Sequence, residues 1–135
     1  MIRRCLVAVA AAMLASPAGA QTWVEVGRDQ EVVHYVDSTA LIRDGDIVRV
    51  TKRAVYHDPQ PIGDTPGLPL IAESMGVVES DCKLTQHRVI SIRLLGTDGT
   101  AIWSSGDMRR VWESIEPDSP GMATLTFACS RTVAR

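Results

Sequence analysis

The feature that most constrains the fold of this chain is a pair of cysteines, Cys82 and Cys129. The third cysteine, Cys5, lies in an N-terminal segment with the character of an export leader, as argued below. Two cysteines in an exported chain most simply form one disulfide, and the alternative is two unpaired thiols. A bond between them would close a loop that the chain-entropy model values at about 4 kcal/mol, against a total stability of about 5–15 kcal/mol.

The segment that ends at Cys129 has two interpretations. Ser119 is a good N-cap and Pro120 fits the first helical position. Apolar residues then recur at helical spacing, at Met122, Leu125 and Cys129. The alternative is a half-buried strand, because two β-branched threonines fall within a stretch that also alternates between apolar and polar residues. We favour a short amphipathic helix.

Residues 1–20 have the pattern of a secretory signal peptide. A positively charged start with Arg3 and Arg4 precedes an apolar run, and small residues follow that run. Cleavage is expected between Ala20 and Gln21. The chain is therefore expected to be exported, as a periplasmic or secreted protein of the cell envelope.

The leader is not expected to remain as an anchor. Its apolar run is shorter than the roughly 20 residues needed to span a bilayer, and Pro17 follows it. Cys5 precedes the apolar run instead of following a small-residue cleavage site, so we expect no lipid anchor.

The mature chain, residues 21–135, is mildly acidic. The whole sequence has a formal net charge of −2, and removing Arg3 and Arg4 leaves −4. No cluster of basic residues suggests a nucleic-acid or anionic-membrane partner. The length fits a single domain with a modest core.

Six segments of the mature chain have the alternation of β-strands. They are residues 22–26, 32–37, 47–57, 70–82, 88–95 and 100–104. Residues 38–42 are expected to form one helical turn. Residues 58–69, with four prolines and two glycines, are expected to form a loop. Lys52 interrupts the apolar face of the third strand, which is more easily tolerated near a sheet edge or rim.

The fourth strand carries small side chains on one face, including Ala72, Ser74 and Gly76, which leaves room for the segment that ends at Cys129. We therefore predict an α+β fold. It consists of an antiparallel β-sheet of about six strands, with a short C-terminal helix packed on it and tied by a disulfide.

Residues capable of chemistry are present but form no recognisable motif. The three histidines, His34, His57 and His87, lie far apart in sequence and none belongs to a metal-ligand pair. Other candidates considered are His57 beside Asp58, the hydroxyls of Ser104 and Ser105, and the carboxylates of Asp44 and Asp46, which flank a turn. No nucleophile-elbow or Cys-x-x-Cys motif accompanies them. We expect no catalytic residues, no metal and no cofactor.

The order of landmarks along the mature chain resembles the bacterial surface-adhesin protein E family. The landmarks are Trp23, Tyr35-Val36-Asp37, Ile42-Arg43-Asp44-Gly45, Ser80-Asp81-Cys82, Trp112, Pro117 and Cys129. The resemblance implies a sheet of about six strands, a C-terminal helix held by a disulfide, and no catalytic site. It also implies adhesion to host matrix and serum proteins, although no binding motif can be matched here. The named adhesin is a lipoprotein, whereas this chain lacks the lipidation cysteine.

Two functions are consistent with these features. The first is a non-enzymatic binding module of the cell envelope, which would meet an envelope or extracellular protein through the exposed sheet face and residues 58–69. The alternative is a small periplasmic ligand-binding protein or enzyme with a pocket between sheet and helix. The polar residues available for such a pocket are His34, Tyr35, His57 and Arg88. We favour the binding module.

Overall fold

The computed structural model describes residues 20–108 and 110–131, within which the chain forms eight strands and one helix. The expected leader, except Ala20, lies outside the described residues. The elements are β1 (Trp23–Arg28), β2 (Val32–Asp37), β3 (Ile42–Asp44), β4 (Ile47–Gln60), β5 (Ile71–Asp81), β6 (Gln86–Gly96), β7 (Ala101–Ser104), β8 (Glu113–Ser114) and α1 (Pro120–Ser130).

The strands form one antiparallel sheet in the order β1-β2-β4-β5-β6-β7. Two short strands lie off this path, where β3 pairs with the start of β4 and β8 pairs with the start of β6. The predicted fold class is confirmed, since the main path has six strands and one short C-terminal helix follows them. The additional strands have three and two residues, too few to produce a visible alternation.

Two local predictions were wrong. Residues 38–42 do not form a helical turn, because the carboxylate of Asp37 accepts hydrogen bonds from the backbone N–H and the hydroxyl of Thr39, at 2.9 and 2.6 Å. This closes a tight turn, and β3 begins directly at Ile42. Strand β4 also continues past residue 57 to Gln60. The register with β5 shifts between Val55 and Gln60, and such an irregularity accommodates Pro59, which has no N–H for the ladder.

The hydrophobic core lies between the sheet and α1. Val36, Val48 and Val50 are fully buried on this helix-side face, together with Ala128 of α1. Burying a side chain of this kind contributes about 1.5–3 kcal/mol. The alternation expected for residues 47–57 thus places the correct residues in the core.

Helix α1 forms as the capping residues predict. The hydroxyl of Ser119 accepts a hydrogen bond from the N–H of Met122 at 3.1 Å, and Pro120 occupies the first turn. Cys82 and Cys129 form the disulfide, with their Cα atoms 5.7 Å apart. The helix is therefore held to the sheet covalently as well as by its buried residues.

Lys52 lies at the centre of the sheet, contrary to the expectation of an edge or rim position. It is paired with Val36 of β2 on one side and with Gly76 of β5 on the other. The side chain is only partly exposed, and burial lowers the pKa of its ammonium group. A Cβ atom at Gly76 would lie at ordinary contact distance from Cγ of Lys52, 3.8 Å, and closer to the carbonyl oxygen of Ser91, 3.3 Å.

Candidate binding surface

The side of the sheet away from α1 is called the open face here. It carries Arg49, Thr51 and Arg53 of β4, which alternate with the buried valines, and their partners on the neighbouring strands. Among the described residues no helix packs on this face, because α1 lies on the opposite side. Glu79 is buried on this face, whereas the side chains of Arg49, Arg53 and Arg88 are partly exposed, at 43%, 29% and 23%.

One row of the open face is a charged ladder across β4, β5 and β6. The carboxylate of Glu79 accepts hydrogen bonds from Arg49 and Arg88, both at 3.3 Å. The guanidinium of Arg88 also lies 4.6 Å from the ring centroid of Trp112. Burial raises the pKa of Glu79, but the two arginines more than offset this effect and hold it below its ordinary value. Glu79 is therefore charged at neutral pH and pairs with both arginines.

A second row is centred on Arg53. Its guanidinium donates two hydrogen bonds to the carboxylate of Glu73, at 2.8 and 2.7 Å, in the bidentate geometry that gives strong pairs. The rings of Trp23 and Tyr35 flank it, with centroids 5.8 and 6.0 Å from Cζ. Hydrogen bonding to Glu73 raises the pKa of Arg53. The row thus combines a bidentate Arg53–Glu73 ion pair with two aromatic rings close to the guanidinium.

A shallow depression separates the two rows. Small side chains at Thr51, Val77 and Ser91 form its floor, because these residues face one another in register across β4, β5 and β6. The cavity has a volume of about 190 Å³. It is lined by Gln21, Thr51, Met75, Gly76, Val77, Ser91 and Arg93. Arg93 is exposed at its rim. A side chain from a partner could enter this depression.

A second concave feature lies at the edge of the sheet, between β1 and α1, and is called the edge groove here. Its volume is about 620 Å³. Its walls are Glu25 and Val26 from β1, and Asp118, Ser119, Met122, Ala123, Thr126, Phe127 and Ser130 from the helical segment. The edge groove shares no lining residue with the depression on the open face.

A third feature is a cluster of basic side chains on the helix-side face, near the start of α1. A Cβ atom at Gly121 would lie 3.2 Å from Cε1 of His87, so the helix approaches this ring closely. His34 lines a small cavity with Ser119 and Pro120, and its Nδ1 is buried without a hydrogen-bond partner. Burial lowers the pKa of both histidines, and the charge of Lys52 lowers each further.

A family model described as Surface-adhesin protein E matches residues 23–130, from the first residue of β1 to the last residue of α1. The chain belongs to the surface-adhesin protein E family. The resemblance inferred from the ordered landmarks is thereby confirmed. A comparison with curated proteins gives no match. Of the helices in the described part of this family domain, none has the length and apolar character needed to cross a membrane.

The residues considered for a pocket in this adhesin E domain do not converge. Tyr35 and Arg88 lie on the open face, whereas His34 lies on the helix-side face. His57 is exposed near the end of the sheet, where its backbone N–H donates a hydrogen bond to the carbonyl of Glu31 at 2.8 Å. Neither the edge groove, the depression on the open face nor the small cavity beside His34 is lined by all four residues.

The remaining candidates have structural roles in the family domain. The hydroxyl of Ser105 accepts from the N–H of Ile92 at 2.9 Å and donates to the carbonyl of Gly106 at 2.7 Å. Ser104 is exposed at the end of β7, and Asp44 and Asp46 flank the turn at Gly45. Within the described ranges, no three His, Cys, Asp or Glu side chains are grouped as a metal site would require.

Residues 61–70 form the loop between β4 and β5 and are mostly exposed. Leu68 and Leu70 are about half exposed, at 45% and 46%, as is Trp103 on β7, at 50%. Sequence reasoning identified this loop. It missed the depression and the edge groove, because both depend on which strands are neighbours and not on any local motif.

Proposed function

We propose that this chain is an exported, non-enzymatic binding module of the cell envelope, which attaches to an extracellular or envelope protein through its open face. Membership of the surface-adhesin protein E family supports an adhesin-like role. The observation that carries the proposal is the pair of ion-paired arginine rows with a depression between them. Leader residues 1–20 would direct export, and the mature domain would begin at Gln21 without a lipid anchor.

The side chains of the open face favour a protein partner. Arginine, tryptophan and tyrosine contribute most of the binding energy in typical protein interfaces. Here Arg53 is already held by Glu73, so little conformational entropy is lost when a partner binds. The excess of arginine on this face of an acidic chain favours partners with an acidic surface.

The size of the depression argues against a small-molecule enzyme. Pockets for small ligands usually have volumes of about 300–1,000 Å³, well above that of this depression. The larger edge groove is lined by none of the four polar residues that the alternative function needs. The open face is better suited to one inserted side chain surrounded by a flat contact.

The test is retention of partners by the immobilised mature domain from envelope extract and from purified matrix and serum proteins. The variant Met75→Ala/Arg93→Glu changes the depression and its rim, and we expect at least a tenfold loss of retention. The matched control is Lys83→Glu, because Lys83 is exposed in the β5–β6 turn, beyond Asp81, which lies about 20 Å along β5 from Met75.

A second variant shortens residues 61–69 and measures the contribution of the loop. Its effect on retention separates binding by the loop alone from binding by the open face. Equal retention by the open-face variant and the wild type would contradict the proposal. So would saturable binding of a small molecule with no macromolecule retained.

A further inference from the structure

The edge groove differs from the open face because one of its walls is a strand with an unpaired side. β1 is the first strand in the sheet order, and among the described residues it pairs with β2 alone. An unpaired strand edge presents backbone N–H and C=O groups that can pair with another extended chain.

The hydrogen bonds between β1 and β2 show which backbone groups of β1 point away from β2. The N–H of Ser38 donates to the carbonyl of Thr22, so Thr22 belongs to a hydrogen-bonded pair. In an antiparallel ladder such pairs alternate, and Val24 therefore directs its groups towards β2 as well. The N–H and C=O groups of Trp23 and Glu25 consequently point away from the sheet.

The helix provides the second wall of the groove. Met122, Ala123 and Phe127 present apolar surface there, and the hydroxyl-bearing residues of α1 add polar contacts. An 11-residue helix is about 16 Å long, which matches about five residues of an extended chain. The regular ladder of β1 ends at an irregularity between Glu25 and Gly27, so an added strand would pair with Trp23 and Glu25 and direct alternate side chains at the helix.

The charges at the two ends of the groove differ. Asp118 places a carboxylate at the end where α1 begins, whereas the carboxylate of Glu25, in the middle of β1, is paired with Arg28. At the other end, Arg131 lies over the ring of Phe127, with its Cζ atom 4.3 Å from the centroid. A bound peptide is complementary when its basic residue lies near Asp118 and its acidic residue near Arg131.

We propose that the edge groove binds an extended peptide segment of another protein, which adds to β1 as a new strand. The segment has alternating apolar side chains, a basic residue at the Asp118 end and an acidic residue at the Arg131 end. This site is separate from the open face and does not rest on the function proposed above.

The test uses the exported chain and a synthetic peptide, acetyl-Lys-Thr-Val-Thr-Val-Thr-Glu-amide, in which the lysine, the valines and the glutamate lie on one face of the strand. NMR titration should show saturable binding, with shifts at Trp23 and Glu25 and along α1, and slower hydrogen exchange of those two β1 amides. A peptide methylated at the backbone nitrogens that face β1 keeps its side chains but loses the ladder bonds. We expect it to bind at least tenfold more weakly.

Two variants locate the site. Thr126→Arg places a long side chain in the groove from an exposed helix position and should abolish binding. Asp118→Asn removes the charge but keeps a residue that tolerates the positive φ of 60° found there, and should weaken binding of the lysine-bearing peptide severalfold. Thr65→Arg in the loop is the control and should change nothing.

The proposal is overturned if the methylated peptide binds equally well or if Thr126→Arg has no effect. It is also overturned if the β1 amides are protected by self-association that rises with protein concentration, since the occupant is then a second copy of the chain. A circular dichroism spectrum and melting temperature equal to those of the wild type show that Thr126→Arg is folded, and this control does not depend on any partner of the open face.

Discussion

Lys52 carries a charge that is energetically unfavourable at its position in the sheet. It lies on a central strand, on the face that packs against α1, between two histidines whose pKa values its charge lowers. No carboxylate of the described residues forms an ion pair with it. A partly buried cation without such a pair costs free energy, because its charge is incompletely solvated.

We expect Lys52→Met to raise the free energy of unfolding by about 1 kcal/mol, since methionine keeps the length of the side chain without the charge. Thermal or urea denaturation at pH 7 measures this change. Lys83→Met, at an exposed turn position, should leave stability unchanged. A lower melting temperature for Lys52→Met would mean that the ammonium group is stabilising.

The docking of α1 is the main question at the scale of elements. Its start lies against His87 and beside His34, and neither ring is freely solvated. Besides Lys52, the charged groups near these rings are Asp29 on the turn before β2 and Glu113 on β8, which partly offset the lowering of their pKa values. The start of a helix carries a partial positive charge, which adds to the disadvantage of a protonated ring.

We expect the stability of the domain to fall as the pH decreases from 7 to 5. Both histidines have lowered pKa values when folded, so the unfolded chain, with a pKa of about 6.5, binds protons first. The two histidines contribute their full stabilisation above about pH 6.5, the pKa of the unfolded chain. This stabilisation is lost as the pH falls from that value towards their lowered pKa values in the folded state. Melting temperature against pH measures the effect.

The double variant His34→Gln/His87→Gln should flatten this pH profile between 7 and 5, whereas His57→Gln should not, because His57 is exposed. A profile that is unchanged in the double variant would assign the acid sensitivity elsewhere. Further loss below about pH 4 is expected in all variants, since Asp29, Asp37 and Glu79 have lowered pKa values and lose stabilising hydrogen bonds when protonated.

The elements also show what a single sequence can predict. Ser119 and Pro120 predicted the start of α1 because capping is local, and alternation identified the six longer strands. Strands β3 and β8 were missed because two or three residues carry no period. His34, Lys52 and His87 come together because β2, β4, β5 and β6 are neighbours in the sheet. Local sequence patterns predict the strands but not their order.

At the scale of the whole molecule, the disulfide is linked to the expected export of the chain. The disulfide between Cys82 and Cys129 requires an oxidising compartment, and the leader would direct the chain to one. We expect the purified exported protein to begin at Gln21 and to contain no free thiol. Intact mass and thiol labelling under denaturing conditions measure both properties.

One reactive thiol, or a mass that includes a lipid, would contradict the inferred compartment. The same measurements on protein made without residues 1–20 in a reducing cytosol provide the control. That protein should carry two free thiols until it is oxidised.

The order of the sheet has a consequence for how the domain forms. Along its main path the strands follow the order of the chain, so each strand can pair with the one delivered just before it. A chain that enters the envelope from its N-terminus can therefore extend the sheet as it arrives, using contacts that are close in sequence and quick to form. Helix α1, which packs on β1, arrives last. We therefore expect the bond from Cys129 to Cys82 to form late, on chains whose export, as proposed above, is nearly complete.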